Sequence, residues 1–383
     1  MPNPDPAARS PSDAPAPAAA APPAPAPASP TRTLRSADEL AAAGLISPGE
    51  DAVARAVGAR YAVAVTPALA AAIGEDESGA LRRQFVPRAE ELVIAREELA
   101  DPIGDETHSP VRGIVHRYAD RVLLKPLHAC AVYCRFCFRR EQVGPGAEAL
   151  SAREMDAALA YIEAHREIWE VILSGGDPLL LSPRRLKAIV ARIAAVPHVG
   201  VIRIHTRIPV ADPSRVSNAL LGALKCAKAV YVVLHCNHEA ELSAAAKAAC
   251  ARLVDAGLPM LAQSVLLKGV NDDPATMERL LRALTAARIK PYYLHHPDLA
   301  RGTGHFRLPL ARGRAIMRSL RARLSGIAQP AYVLDIPGGH GKVPVGPDYL
   351  KPGNGPGDWI VTDPHGHEHE YPAGNEHLYP PKD

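Results

Sequence analysis

Short apolar runs rich in β-branched residues recur through the middle of the chain and alternate with longer amphipathic stretches. The runs cover residues 121–127, 170–174, 199–206, 230–235, 261–267 and 291–295. Strands that alternate with helices in this way are typical of βα units around a parallel sheet. The pattern therefore predicts an α/β fold, with six units in place of the eight of a closed barrel. A doubly wound sheet remains the alternative.

The flanking regions have different patterns. Apolar residues at helical spacing between residues 36 and 105, opened by a possible capping box from Ser36 to Glu39, predict an N-terminal helical subdomain. A last strand-like run at 331–336 precedes a glycine-rich loop and a Pro/Gly-rich tail. We therefore divide the chain into a disordered Pro/Ala-rich tail (1–32), a helical subdomain (33–110), a strand–helix region (111–330) and a C-terminal segment (331–383).

Composition narrows the function classes. The 383 residues carry a net charge of only +3, from 44 basic and 41 acidic residues that are interspersed, so we expect no nucleic-acid partner. We see no signal peptide and no run long enough to cross a membrane. Six cysteines, three clustered and three scattered, do not form a secreted disulfide framework. These features favour a cytoplasmic protein without a membrane partner.

The strongest chemical signal is a cysteine triplet directly after the first apolar run. Cys130, Cys134 and Cys137 lie in the segment C-A-V-Y-C-R-F-C. Three thiolates from one loop can hold an iron–sulfur cluster and leave one iron open to an outside ligand. Zinc is an alternative, although a structural zinc site normally has four protein ligands and no fourth ligand follows at conventional spacing. Cysteines as small apolar core residues are the other alternative.

The CxxxCxxC spacing resembles that of the radical S-adenosylmethionine (SAM) superfamily, and the wider sequence resembles its lysine 2,3-aminomutase family. The resemblance covers roughly residues 105–345 and implies a (β/α)6 partial barrel. It also implies a [4Fe-4S] cluster held by the three cysteines, SAM on the open iron, and an electron donor of the flavodoxin or ferredoxin type. We expect a homo-oligomer.

Three motifs match the family's SAM site. The strand 171–174 runs into a glycine turn, and the turn Ser174, Gly175, Gly176 and Asp177 matches the SAM-binding turn. Its backbone amides can approach a ligand closely, while Asp177 can accept from an ammonium group or hold the turn. His235 and Gln263, each on a later strand, resemble further polar groups of this site. A lone strand histidine is otherwise a hydrogen-bonded core residue.

The loop from Asp335 to Lys342, D-I-P-G-G-H-G-K, is the second strong signal. It does not match the nucleotide-binding pattern GxxxxGK[ST], because Val343 follows the lysine. In the resembling family such a loop carries the lysine that anchors pyridoxal 5'-phosphate (PLP), which corresponds to Lys342. His340 replaces a glycine usual in that family. Arg117 and Arg121 match the family's basic residues near the PLP phosphate, a role that suits a guanidinium.

Three further residues bear on the substrate. Arg139 matches the arginine that pairs with the substrate carboxylate, and Asp298 and Asp335 match the two acids that hold the distal ammonium of lysine. Two buried acids repel each other without a cation between them, which favours a cationic side chain. Lysine is therefore predicted over glutamate, and arginine is left open.

The resemblance implies an isomerase that converts L-lysine to β-lysine. Two alternatives stay open: a radical SAM enzyme without PLP, and a zinc-stabilised binding module. Some relatives bind zinc between subunits through extra cysteines, but here the corresponding context reads Asn271-Asp272-Asp273 and no cysteine follows Cys250. We therefore expect no intersubunit zinc. Shorter relatives without it include enzymes that make β-lysine for elongation factor P, so lysine metabolism and translation-factor modification are both compatible roles.

Overall fold

A computed structural model describes residues 30–144, 149–355 and 357–372. The predicted Pro/Ala-rich tail lies almost entirely outside the described residues. Among the described residues, no helix has the length and apolar character that a bilayer crossing requires.

Four helices form the N-terminal region: α1 (Ala37–Ala42), α2 (Asp51–Arg60), α3 (Pro67–Glu75) and α4 (Ala80–Phe85). Ser36 caps α1, because its side chain accepts a hydrogen bond from the Glu39 amide at 3.2 Å. The helices end at Phe85, earlier than the sequence pattern predicts. Val86 precedes a proline and is extended (φ −98°, ψ 130°), which explains the stop. Only a short 3-10 helix over Ala89–Leu92 follows before the sheet.

The core of the molecule is a curled, nine-stranded, mostly parallel sheet whose strands follow one another in chain order. Strands β2 to β8 are parallel, and β1 and β9 pair antiparallel at its two edges. The strands are β1 (Ile114–Tyr118), β2 (Arg121–Leu127), β3 (Glu170–Gly175), β4 (Val201–Thr206), β5 (Ala229–His235), β6 (Met260–Val265), β7 (Ile289–His295), β8 (Ala331–Asp335) and β9 (Lys342–Pro344).

The α/β prediction and the six strands predicted from the apolar runs are confirmed. The structure adds a seventh parallel strand, because the run at 331–336 joins the sheet beside β7 as β8. Its position places the glycine-rich loop at the same end of the sheet as the other strand ends.

Helices cover the outer face of this sheet. They are α5 (Ala152–Ala164), α6 (Pro183–Ala195), α7 (Ile208–Ala211), α8 (Asn218–Leu224), α9 (Ala244–Asp255), α10 (Pro274–Ala286) and α11 (Leu310–Arg323). Each long helix buries one apolar stripe; in α6 it consists of Leu186, Ile189, Val190 and Ile193. A separate three-stranded sheet follows: β10 (Leu350–Pro352), β11 (Trp359–Thr362) and β12 (Glu368–Tyr371).

Side chains alternate across each strand, and this separates the apolar core from a cavity on the other face of the sheet. In β4, Ile202 and Ile204 are fully buried in the main apolar core, whereas Arg203 and His205 line the cavity. The curvature of the sheet thus encloses a cavity that carries charged side chains and reaches the carboxyl ends of the strands, where ligands bind in parallel α/β proteins.

Candidate functional site

A cavity of about 680 Å³ lies inside the curled sheet. Every residue that the sequence assigns to a cofactor or to the substrate lines it. These residues are Arg117, Arg121, Cys130, Cys134, Cys137, Arg139, Ser174, Gly175, Gly176, Asp177, His235, Gln263, Asp298, Asp335 and Lys342. Motifs that are more than two hundred residues apart in sequence therefore face one space.

The cysteine loop begins directly after β2 and is tied to the N-terminal helices. The Tyr133 amide donates to the Ala64 carbonyl at 3.3 Å, and the Arg135 amide donates to the Gln84 carbonyl at 2.8 Å. All three cysteines of the triplet are reduced and half-buried. They line the cavity, and they pack against apolar residues that include Val132 for Cys134 and Tyr133 for Cys130 and Cys137.

The chemistry of the three thiols fits a cationic cluster. Burial, then the neighbouring Cys134, raises the pKa of Cys137 to about 11, and burial also raises the pKa of Cys130 and Cys134. Positive metal charge is what stabilises buried thiolates. No three His, Cys, Asp or Glu side chains among the described residues converge as a ligand set for one metal ion. A cubane differs from a single ion because each thiolate binds an iron of its own.

Two buried arginines anchor the loop from inside, and neither was predicted. Arg135 Nε lies 2.9 Å and Nη2 2.7 Å from Glu91 Oε2. Arg140 also donates to Glu91 and reaches the Gly302 carbonyl at 3.0 Å. The Glu91 side chain is 0% exposed. Burial opposes its ionisation, but the two arginines hold its pKa below the ordinary value.

A third arginine contacts the triplet itself. Arg207, just after β4, donates from Nη1 to Cys134 Sγ at 3.0 Å. Its Nη2 donates to Glu241 Oε2 at 2.5 Å and to Gln84 Oε1 at 2.9 Å. A guanidinium in this position stabilises a sulfur that carries negative charge. Sequence reasoning missed it, because a single arginine after a strand gives no local signal.

The glycine turn after β3 packs against the cysteine loop. Gly175 has φ +105°, and a Cβ on Gly176 would lie 2.0 Å from the Ala129 carbonyl oxygen. The sequence suggested that the Gly176 amide could bind a ligand. In the structure this amide is already used, because it donates to the Leu127 carbonyl at 2.8 Å. The glycines here permit close contact between two loops that border the cavity.

Asp177 holds this turn, which is one of the two roles that the sequence left open. Its carboxylate accepts from the Thr206 hydroxyl at 2.8 and 2.9 Å, the Arg207 amide at 2.7 Å and the Leu179 amide at 3.0 Å. These bonds link the ends of β3 and β4. With its oxygens already paired in this way, Asp177 acts on the site through the loop it fixes.

His235, the last residue of β5, and Gln263, within β6, lie side by side as register partners. His235 Nε2 is buried and has no hydrogen-bond partner among the described residues. Burial and the charge of Arg207 lower its pKa well below the ordinary value, so the ring is neutral. His205, on β4, was not predicted; its Nε2 is also buried without a partner among the described residues, and burial and the charge of Arg203 lower its pKa well below the ordinary value. Unpaired buried ring nitrogens in a cavity wall suit a polar ligand.

Lys342 is placed by the antiparallel pairing of β8 and β9, in which it lies directly opposite Asp335. Its ammonium forms an ion pair with the Asp335 carboxylate and lies 3.2 Å from His295 Nδ1. Its backbone amide donates to the Tyr118 hydroxyl at 2.8 Å, and the Arg121 guanidinium stacks 3.8 Å above the Tyr118 ring. Tyr118 therefore links the backbone of Lys342 to one of the two arginines assigned to the PLP phosphate.

The two predicted substrate acids differ sharply in charge. Burial and the nearby Asp335 raise the pKa of Asp298 to about 7. Burial also disfavours ionisation of Asp335, but His295 and Lys342 hold its pKa at about 2. Asp298 Oδ1 is buried without a partner among the described residues. The unpaired oxygen of Asp298 is therefore an acceptor for one further cation. The sequence assigned Asp335 to the distal ammonium of the substrate and did not predict its ion pair with Lys342.

The remaining two arginines share one buried acid. Arg139 Nε donates to Asp105 Oδ2 at 2.7 Å, and Arg117 Nη2 lies 3.3 Å from Asp105 Oδ1. Arg117 also lies 3.9 Å from Asp335. Arg117 Nε is buried without a hydrogen-bond partner among the described residues. Both guanidinium groups face the cavity, where a carboxylate and a phosphate are suitable partners.

The sequence of this chain is similar to those of known proteins. The model of the Radical SAM superfamily matches residues 124–281. L-lysine 2,3-aminomutase of Fusobacterium nucleatum is 42% identical over 270 residues, which are 70% of this chain and 64% of the relative. The enzyme of the same name from Acetoanaerobium sticklandii is 42% identical over 289 residues, 75% of this chain and 70% of the relative.

Glutamate 2,3-aminomutase of Clostridioides difficile is also similar, at 36% identity over 295 residues, 77% of this chain and 70% of the relative. The chain thus spans about two thirds of the length of these relatives. Their extent and identity, together with the Radical SAM match, show that the chain belongs to the lysine 2,3-aminomutase family of the radical SAM superfamily.

Proposed function

We propose that this chain is an L-lysine 2,3-aminomutase, which moves the α-amino group of L-lysine to the β carbon. The observation that carries the proposal is the common cavity. The cysteine triplet and Lys342 border the same space, together with two acids and two arginines suited to an amino acid with a cationic side chain.

The residues present fit the three cofactors that the family implies. Cys130, Cys134 and Cys137 would hold a [4Fe-4S] cluster, and His235 and Gln263 would contact SAM. Lys342 would anchor PLP, with Arg117 and Arg121 near its phosphate. When bound, the cluster with SAM supplies one-electron chemistry, and PLP supplies a carbonyl group that can hold an amine.

The side chains around Lys342 hold its amine in place. A lysine amine must be neutral before it can form a covalent bond, and here the ammonium is paired with Asp335. His295 Nδ1 lies 3.2 Å from Nζ. Burial and the charge of Lys342 lower the pKa of His295, so the ring is neutral and a weak base. Asp335 would therefore be the anion that holds the Lys342 ammonium, and His295 would orient the amine.

The substrate is oriented at both ends. Arg139 would bind the α-carboxylate, because its guanidinium faces the cavity with its Nε held by Asp105. Asp298 and Asp335 would hold the distal ammonium, since the unpaired Asp298 oxygen provides an acceptor. A glutamate side chain would bring a third carboxylate to these two acids and be repelled. Lysine is therefore favoured, and the similarity to a glutamate enzyme makes this distinction the one to test.

Product analysis tests the proposal. The purified chain, loaded anaerobically with iron, sulfide and PLP, is incubated with SAM, dithionite and L-lysine, L-arginine or L-glutamate in parallel. The expected product is a β-amino acid from lysine alone. Conversion of glutamate in place of lysine, or no conversion by fully loaded protein, would contradict it.

One observation favours a second candidate, a radical SAM enzyme without PLP. Lys342 already has an ion-pair partner within the chain, as a purely structural lysine would. An absorption band that appears when PLP is added and is lost on borohydride reduction excludes this candidate. We place either enzyme in the cytoplasm, where six unpaired cysteines would stay reduced. The physiological electron donor would be a flavodoxin or a ferredoxin.

A further inference from the structure

Asp105 lies behind the cavity wall and collects three cations. Its side chain is 1% exposed, and Arg139 Nε, Arg117 Nη2 and Lys125 Nζ approach it at 2.7, 3.3 and 3.6 Å. Burial alone would raise its pKa, but these cations hold the pKa below the ordinary value, so it is ionised. Because the three cations outnumber the single Asp105 carboxylate, net positive charge remains at the cavity wall to bind anions.

The Asp105 carboxylate is held in place by its own loop. The Asp105 amide donates to Asp101 Oδ1 at 2.9 Å, and the Glu106 amide donates to Asp101 Oδ2 at 2.8 Å. The Ser109 hydroxyl donates to the Asp105 carbonyl at 2.7 Å. The loop is therefore ordered by local bonds that need no ligand.

The same loop also contacts the glycine-rich loop that precedes Lys342. The Gly338 amide donates to the Pro102 carbonyl at 3.0 Å, and His108 Nε2 lies 3.1 Å from the Gly339 carbonyl oxygen. Gly104 has φ +67°, and a Cβ on it would lie 2.9 Å from the Gly338 carbonyl oxygen. The segment 101–109 therefore joins both arginines to the loop of the PLP lysine.

We propose that Asp105 is a positioning residue that orients Arg139 toward the substrate carboxylate and Arg117 toward the PLP phosphate. The inference rests on the proposed function. A guanidinium held at one edge by a carboxylate keeps a fixed plane, so its free N–H groups face one direction. Asp105 does so for Arg139 through Nε and for Arg117 through Nη2. A single buried acid thus sets the spacing of the two anion-binding groups.

The test compares binding of PLP with binding of pyridoxal, which lacks the phosphate. In Asp105→Asn the side chain keeps its shape and one acceptor oxygen but loses its charge. We expect the affinity for PLP to fall about tenfold or more while the affinity for pyridoxal changes little. The KM for lysine should rise by a similar factor, and kcat should change less. Iron content and Tm are measured alongside to detect a merely structural loss.

Asp156→Asn is the matched control, because Asp156 is an exposed acid that pairs with Arg192 on the outer helices. It should leave both affinities unchanged. If Asp105→Asn does not fold, Asp101→Ala tests the same claim, since it keeps the carboxylate of Asp105 but removes the bonds that fix its loop. Asp101→Ala should also reduce the preference for PLP over pyridoxal, but by less than the tenfold expected for Asp105→Asn.

The outcomes separate the inference from the proposed function. If the unchanged protein binds PLP no better than pyridoxal, the proposed function fails and the inference fails with it. If the unchanged protein prefers PLP and both variants keep that preference, only the inference is overturned. Tighter PLP binding by Asp105→Asn would also overturn it, because Asp105 would then only neutralise the cations.

Discussion

Asp335 and Lys342 face each other across the pair of strands β8 and β9 and form an ion pair inside the cavity. The sequence assigned them to different partners, Asp335 to the substrate and Lys342 to PLP. Their contact links the two roles. Under the proposed function, covalent use of the Lys342 amine would remove its ammonium from Asp335, and the carboxylate would become available to the distal ammonium of lysine. PLP loading and substrate binding are therefore expected to support each other.

Lys342→Ala should abolish covalent attachment of PLP and leave the iron–sulfur cluster intact, because no cysteine contacts the altered side chain. Borohydride reduction of the loaded protein followed by peptide mass spectrometry should place the reduced adduct on Lys342. Lys351→Ala, an exposed lysine that pairs with Glu368, is the control and should retain the adduct. An adduct on any lysine other than Lys342 would show that the PLP assignment is wrong.

Asp298→Asn should impair lysine turnover without affecting PLP loading. It removes one charge-assisted hydrogen bond to the distal ammonium, so transition-state stabilisation should decrease by about 1.5–3 kcal/mol. The value of kcat/KM should then fall about 10- to 150-fold. Asp335→Asn should lower kcat/KM as well and, unlike Asp298→Asn, should change the rate of PLP attachment, since Asp335 pairs with Lys342.

The control for this pair is Asp348→Asn, which alters an exposed acid paired with Arg314. Its kinetics should match those of the unchanged protein. Fully loaded Asp298→Asn with an unchanged kcat/KM for lysine would show that Asp298 and Asp335 do not together hold the distal ammonium of lysine.

The pH dependence should reveal the Asp298 carboxyl. With its pKa raised to about 7, Asp298 is neutral below that pH and anionic above it, and only the anion attracts an ammonium group. The value of kcat/KM for lysine should therefore rise as pH increases through about 7 and then level off. Asp298→Asn should remove this rise. A rise that persists in the variant would assign it to another group.

Glu91→Gln should destabilise the protein and its cysteine loop together. The change leaves Arg135 and Arg140 as buried cations without an anionic partner, which lowers the free energy of unfolding by about 3–5 kcal/mol. The neighbour Glu90, in a surface pair with Arg88, provides the control: Glu90→Gln should cost about 1 kcal/mol or less. Denaturant titration measures the free energy of unfolding of both variants. An equal decrease in the two variants would show that Glu91 does not anchor the cysteine loop.

The fold and the cofactor motifs could be predicted because their signals are local. Apolar runs identify the strands, and the spacing of Cys130, Cys134 and Cys137 and the loop before Lys342 are each readable within ten residues. The residues that support them could not be predicted. Asp105, Glu91 and Arg207 act through partners that are distant in sequence, and an isolated acid or arginine has no distinguishing pattern.

The roles of the glycines and of Asp177 show a second limit. The sequence indicated a tight turn after β3 but not what the turn contacts. The close approach of Gly176 to Ala129 and the bonds of Asp177 to Thr206 and Arg207 depend on how the strand ends meet in the curled sheet. Strand order and curvature fix these contacts, and neither is a property of the local sequence.

We propose that the cysteine triplet and Lys342 serve one reaction in one cavity. The most direct measurement is β-lysine formation from L-lysine by Cys134→Ala and Lys342→Ala, prepared anaerobically beside the unchanged protein with iron, sulfide and PLP content determined for each. We predict that both variants lose β-lysine formation, although Cys134→Ala still binds PLP and Lys342→Ala still contains its cluster. β-Lysine formed by either variant at the rate of the unchanged protein would show that the two motifs do not serve one reaction.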